Sequence, residues 1–260
     1  MSWIDVMTLA GEQEGLFTSA QALVRGMSRS DINRRMKQGY ITQVRHGVYL
    51  LISAPTDMHR EVRAAWLSLD PAKTARQRLQ NKNGAVLCST TAAEIYGAGI
   101  FYPERKDFYS PIRKQSSDKT IRIRIRKLDV EDINIVDGFL VVSPTVLVCD
   151  FLQEGRDIDD IAEVVRDLVQ AEYELDWQKV FNFLPRTAAR DGISALEITK
   201  TLMSPLLELA LPISPYQLDN AYFPPGFLKN LREVYEDTRR SAHEDMLAVL
   251  ERFWNGEAWV

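Results

Sequence analysis

The chain has 260 residues, 45% of them hydrophobic and 26% charged, with 13 Gly, 11 Pro and 5 Trp, a composition that excludes disordered, collagen-like and rod-like coiled-coil proteins. The formal net charge of −4 conceals an asymmetry: residues 1–128 carry 21 Lys and Arg against 11 Asp and Glu, a net of +10, while the remainder carries 11 against 25, a net of −14. Such a division points to a basic surface for nucleic acid joined to an acidic portion with another task.

An amphipathic segment from Ile4 to Leu9 predicts a first helix. Thr18-Ser-Ala-Gln21 is a capping box and Ser28-Arg-Ser-Asp31 a near variant of one, so two short helices are expected to begin near residues 19 and 29. Gly26 breaks the first and Gly39 stops the second, leaving Arg25-Gly-Met27 as a turn of helix-turn-helix length. Residues 40–44 and 48–52 are rich in β-branched and aromatic side chains and read as strands closed through Arg45-His-Gly47. Helix-turn-helix followed by a β-hairpin wing is the resulting expectation.

A connecting helix is predicted over residues 57–69, and residues 71–84 are polar and basic. Ala85-Val-Leu-Cys88 predicts a short buried strand, Ser89 or Thr90 caps a helix over residues 91–96, and Gly97 ends it. Ile121-Arg-Ile-Arg-Ile-Arg126 alternates strictly, whereas Gly138-Phe-Leu-Val-Val142 is a continuous apolar run and so a strand buried on both faces. Ser143-Pro144 opens a helix to about Leu152, and Ile158, Ile161, Val164, Val165, Leu168 and Val169 stripe the next. Beyond Glu172 the signals are helical, interrupted by a proline-rich loop over residues 212–226.

The fold class expected is α+β and predominantly helical. It divides into a winged helix-turn-helix over residues 1–55, a mixed α+β domain over 56–170 and a helical extension over 171–260. No uncharged apolar stretch approaches the roughly 20 residues of a membrane span, and the acidic N-terminus lacks the basic start of a secretory signal. Cys88 and Cys149 lack paired spacing and sit in apolar runs, as buried free thiols do in a reducing compartment. A cytoplasmic location with no membrane partner is the expectation.

On the second helix of the helix-turn-helix, Ile32 and Met36 share one face and Ser30, Asn33, Arg34 and Lys37 the opposite one, with Arg29 and Arg35 flanking. Ser28, Arg29, Ser30, Asn33, Arg34 and Lys37 are therefore candidate DNA-binding residues. Ser and Asn offer groups for base edges, Arg can bind guanine with two hydrogen bonds, and Lys37 suits a phosphate. Arg45 and His46 at the wing tip are candidates for the DNA backbone or minor groove. A solvated helix face is the alternative for the first set, and an ordinary turn residue for His46.

The stretch from Gly15 to Leu51 resembles the N-terminal winged helix-turn-helix of the AbiEi family of bacterial antitoxins. The similarity lies in Gly15-Leu-Phe-Thr-Ser-Ala-Gln-Ala22, Gly26-Met-Ser-Arg-Ser-Asp-Ile-Asn-Arg34 and Val44-Arg-His-Gly-Val-Tyr49. Cys88-Ser-Thr-Thr-Ala-Ala-Glu-Ile-Tyr-Gly97 and Val142-Ser-Pro-Thr-Val-Leu-Val-Cys-Asp150 are similar to later motifs of the family, in the same order. Val146 stands where many relatives carry Arg or Thr, and the resemblance ends near residue 170. It implies an autorepressor that binds inverted repeats in its own promoter in double-stranded DNA. It also implies an antitoxin whose second domain opposes a nucleotidyltransferase toxin from the same abortive-infection system, without a stable complex. A winged-helix regulator with no toxin partner is the alternative.

Arg122, Arg124 and Arg126 fall on one face of their strand, roughly 6.6 to 6.8 Å apart, near the spacing of successive phosphates. They read either as a second nucleic-acid patch or as a solvated sheet face answering the acidic stretch over residues 129–167. No catalytic residue, metal site or cofactor is expected. His46, His59 and His243 stand alone, and Gly97-Ala-Gly99 begins no phosphate loop. Glu197-Ile-Thr-Lys200 lacks the spacing of a restriction-like nuclease, whose degenerate form is the remaining, enzymatic alternative.

Overall fold

The computed structural model describes residues 3–81, 84–194, 197–199 and 201–202. Two compact units emerge: one holds the described residues up to Ile95 with Tyr102–Val142, the other Tyr96–Phe101 with those from Ser143 onward.

The first unit opens with α1 (Trp3–Gly11), β1 (Leu16–Thr18), α2 (Ser19–Val24), α3 (Arg29–Lys37), β2 (Ile41–Arg45) and β3 (Val48–Leu51). Both capping boxes close. The Thr18 hydroxyl accepts from the Gln21 amide at 3.1 Å while the Gln21 side chain accepts from the Thr18 amide at 2.9 Å. Ser28 and Asp31 make the same exchange at 3.1 and 3.0 Å, so aspartate serves here in the usual place of glutamate. Gly26 and Gly39, at φ +83° and +75°, supply the left-handed turns that end α2 and α3.

The sequence predicts two strands; the structure adds a third, β1, antiparallel to β3 in the order β1-β3-β2. Its three residues, all buried, are too few to show alternation and run directly into the cap of α2. Val6, Ala10, Phe17, Ala22, Met27, Ile32 and Ile41 form the core of this part, with Trp3, Tyr49 and Leu51 against it. Each large apolar side chain fully buried in that core contributes about 1.5–3 kcal/mol. The other side of the small sheet, Leu16, Val48 and Leu50, packs on Ala64 and Leu67 of α4 (Arg60–Ser68).

After α4 comes α5 (Ala75–Leu79), within the polar, basic stretch of residues 71–84. Thr74 and Gln77 form its capping box, but it buries Ala75 and the charged Arg78 in place of an apolar stripe. The Arg78 guanidinium donates to the carbonyls of Trp66 at 2.6 Å, of Leu67 at 2.7 Å and of Asp70, satisfying the carboxyl end of α4. Burial pushes its pKa down to about 10.

A five-stranded sheet follows, built from β4 (Val86–Leu87), β5 (Lys106–Ser110), β6 (Ile121–Ile125), β7 (Ile133–Val136) and β8 (Phe139–Val142), in the order β6-β5-β4-β8-β7. β4 runs parallel to β8 and β5 to β6; the other neighbours are antiparallel. Helix α6 (Ser89–Tyr96) connects β4 to β5. All four residues of β8 are buried, as its continuous apolar run predicts, while alternating β6 lies at an edge. Trp66 of α4 ties the two sheets of this unit together: its indole donates to the Ala85 carbonyl at 3.0 Å, and its ring meets that of Phe139 edge-on at 5.5 Å.

The second unit contains α7 (Pro144–Glu154), α8 (Ile158–Gln170), α9 (Trp177–Phe181) and α10 (Leu184–Asp191). Ser143 caps α7 and proline occupies its first turn, where the missing amide hydrogen removes nothing. Ile161, Ala162, Val164, Val165 and Leu168 give α8 the buried stripe its spacing predicts. The fold is α+β with a helical C-terminal part. The expected proline-rich loop, His243 and most of the 171–260 extension lie outside the described residues.

Candidate nucleic-acid interface

Helix α3 is displayed by the turn after α2 and by its own capping box. Ile32 faces the core at 2% exposure. Met36, expected to join it, is 36% exposed; in its place Arg35 covers that end of the helix, its guanidinium 5.0 Å from the Trp3 ring and 5.5 Å from the Tyr40 ring.

Ser28, Arg29, Ser30, Asn33, Arg34 and Lys37 are all exposed. The Ser28 hydroxyl is engaged in the cap, donating to Asp31 at 2.7 Å. Arg34 donates to the other oxygen of Asp31 at 2.6 Å with its own side chain 62% exposed. The Ser28 hydroxyl bond, with lesser help from Arg34 and Arg35, holds the Asp31 carboxyl below the usual carboxylate range. Arg29, Ser30, Asn33 and Lys37 make no side-chain hydrogen bond or ion pair among the described residues. The helix thus presents one neutral amide, one hydroxyl and several cations to solvent.

The wing places its two tip candidates differently. His46 is exposed on the turn, which Gly47 closes at φ +72°. Arg45, beside an irregularity in the β2–β3 register, turns back into the protein. It is ion-paired with Asp118, donates to the Thr120 hydroxyl at 2.9 Å and lies 3.8 Å from Glu61, with its side chain 11% exposed. Hydrogen bonds from Thr120, then the charge of Arg45, hold the Asp118 carboxyl below its usual range. The structure therefore gathers the α3 residues and His46 on exposed surface and does not gather Arg45 with them.

Arg122, Arg124 and Arg126 do share a side of β6 and its extension, and β5 supplies their partners. Arg122 donates to both carboxylate oxygens of buried Asp107, one at 2.9 Å. Arg124 and Arg126 lie over the Tyr109 ring at 4.8 and 5.0 Å; Arg124 also reaches the Cys88 sulfur at 3.4 Å and Arg126 the Tyr109 hydroxyl at 3.3 Å. Asp107, whose two carboxylate oxygens Arg122 meets, lies on the neighbouring strand β5.

Cys88 and Cys149 are buried and not joined in a disulfide. His59 lies 3.6 Å from Asp137 and edge-on to Phe139. Among the described residues no group of three His, Cys, Asp or Glu could hold a metal ion, and no helix is long and apolar enough to cross a membrane. Glu197 is exposed while Ile198 and Thr199 are buried; Lys200 is outside the described residues.

Three packed helices, a three-stranded sheet with a two-stranded wing, and a cationic second helix in the helix-turn-helix define a winged helix-turn-helix of the DNA-binding class. Residues 5–52 match the family described as transcriptional regulator, AbiEi antitoxin. In overall structure the chain is similar to the RV2827C protein from Mycobacterium tuberculosis, at 16% identity over 81% of this chain and 82% of that one, with a TM-score of 0.47. No curated protein matches it.

Proposed function

We propose that this protein is a cytoplasmic, sequence-specific DNA-binding autorepressor and antitoxin, with no catalytic activity, opposing a nucleotidyltransferase toxin without forming a stable complex with it. The observation that carries the reading is the α3 face: exposed Ser30, Asn33, Arg34 and Lys37 on the second helix of a winged helix-turn-helix whose sequence matches antitoxin regulators.

In this account α3 enters the major groove. Asn33 reads adenine and Arg34 guanine, while Arg29 and Lys37 meet phosphates and His46 brings the wing to the backbone or minor groove. Ser28 supports this face as the cap of α3. Arg45, held by Asp118, sets the pose of the wing. Inverted repeats in the promoter would seat two copies, each reading one half-site.

Two measurements on the full chain test the proposal. A gel-shift titration against a duplex from its own promoter is expected to show binding that survives excess unrelated DNA. Co-expression with the product of the adjacent reading frame is expected to relieve growth arrest, even when α3 carries Asn33→Ala and Arg34→Ala, because antitoxicity resides outside the winged part. Binding to the promoter without any effect on a neighbouring gene product would favour a plain regulator. Failure to bind would overturn the reading.

A further inference from the structure

Within the first unit, an open cleft of about 640 Å³ lies between the carboxyl end of α4 and the loop that leads into β6. Its walls include Asp70, Lys73, Ile112, Lys114, Ser116 and Ile123. Each wall is bonded to the winged helix-turn-helix. On one side the Thr18 hydroxyl donates to the Pro71 carbonyl and the Gln21 side chain to the Lys73 carbonyl at 2.8 Å, so the wall holds the capping box of α2. On the other, the loop carrying Ile112, Lys114 and Ser116 continues into Asp118 and Thr120, which hold Arg45 of the wing.

The lining is amphiphilic. Lys73 is 3.0 Å from Asp70, which neutralises that carboxylate. Lys114 makes no ion pair among the described residues. Leu69, Ile112 and Ile123 add apolar surface, and Ser68 and Ser116 add hydroxyls. A volume of this size is in the range that takes small organic molecules, about 300–1,000 Å³, and far exceeds an inorganic ion.

We propose that this cleft binds a small phosphate monoester of mononucleotide size, and that occupancy alters DNA affinity by moving the two walls that hold α2 and the wing. Lys114 meets the phosphate, Lys73 keeps the Asp70 carboxylate neutralised, and Ile112 and Ile123 pack on the organic body. A ligand that prefers one separation of the walls shifts the population of winged-domain poses by that preference. Only this second half rests on the DNA-binding reading.

The test is isothermal titration of the full chain with adenosine 5′-monophosphate, ribose 5-phosphate, inorganic phosphate and uncharged adenosine. A phosphate monoester is expected to saturate one site and to bind about tenfold more weakly, or worse, to Lys114→Glu. Ile123→Trp, which fills the cleft, is expected to abolish binding, with Ile112→Trp as a second filling variant should the first fail to fold. In gel shifts the same ligand is expected to change affinity for the promoter duplex about fivefold or more, and Asp118→Ala to remove that change while leaving ligand binding intact. Absence of binding by every probe, inorganic phosphate binding as well as the monoesters, or indifference to Lys114→Glu overturns the site. Ligand binding with unchanged DNA affinity overturns the coupling. Ligand binding by a chain that holds no duplex supports the cleft and overturns the DNA reading instead.

Discussion

Asp31 and Arg34 are bound to each other across the first turn of α3: one carboxylate oxygen accepts Arg34 at 2.6 Å while the other accepts the amide and hydroxyl of Ser28. A single side chain therefore closes the helix cap and orients a cation on the face proposed to read bases. Local folding and DNA recognition meet at this position, because a helix that frays at its start misplaces Ser30, Asn33 and Arg34 together.

Removing the cap tests that link. Ser28→Ala is expected to lower stability by about 0.5–2 kcal/mol, seen as a lower urea midpoint with unchanged slope. DNA affinity should fall with it, and an unchanged midpoint would show that the cap contributes nothing to α3.

The same pairings give a pH dependence with a defined sign. Asp31 and Asp118 have native pKa values below the ordinary 3.8, so their stabilisation is fully present above that value and is lost as pH falls through the lower native ones. Thermal melts from pH 6 to below about 4 are expected to show a progressive fall in midpoint that is shallower in Asp118→Asn. An equal slope in the variant would contradict the lowering of the Asp118 pKa by Thr120 and Arg45.

Arg45 separates two roles for the wing. Lys37→Ala is expected to weaken binding to all duplexes alike and to reduce the salt slope by about one. Arg45→Ala is expected to weaken binding without that change in slope, because Asp118 already holds its guanidinium. A slope reduced by Arg45→Ala as much as by Lys37→Ala would put Arg45 on the DNA backbone.

The strand arginines are best probed without touching Arg122. A charge reversal at Arg122 would set a second carboxylate against buried Asp107, a folding defect whatever the role of the patch. Arg124→Gln with Arg126→Gln keeps hydrogen-bonding capacity and removes two charges. If the patch only packs on Tyr109, stability falls and DNA affinity holds; a phosphate-tracking face would lose about tenfold or more at low salt.

Much of the winged part is legible in the sequence because its signals are local. Thr18 with Gln21 and Ser28 with Asp31 mark helix starts within four residues, and Gly26 and Gly39 mark the ends. The buried run of β8 and the Ser143-Pro144 opening of α7 are equally short-range. What escaped depends on partners distant in the chain or on unusual burial. Arg45 meets Asp118 only after a sheet has formed between them, and Arg122 meets Asp107 through the parallel register of β5 and β6, which alternation in one strand does not reveal. Helix α5 carried a readable capping box at Thr74 and Gln77, but it buries one alanine and a guanidinium, so no apolar period announced it.

The most direct measurement of the central claim is a gel-shift titration of the full chain against its promoter duplex and a scrambled duplex, comparing the native protein with Asn33→Ala, Arg34→Ala and the double variant. Each single change is expected to weaken promoter binding by about 1–3 kcal/mol, with little change on the scrambled duplex after Asn33→Ala, because base contacts carry the preference. A double variant that folds normally and binds the promoter as tightly as the native protein would contradict the assignment of α3 as the reading helix.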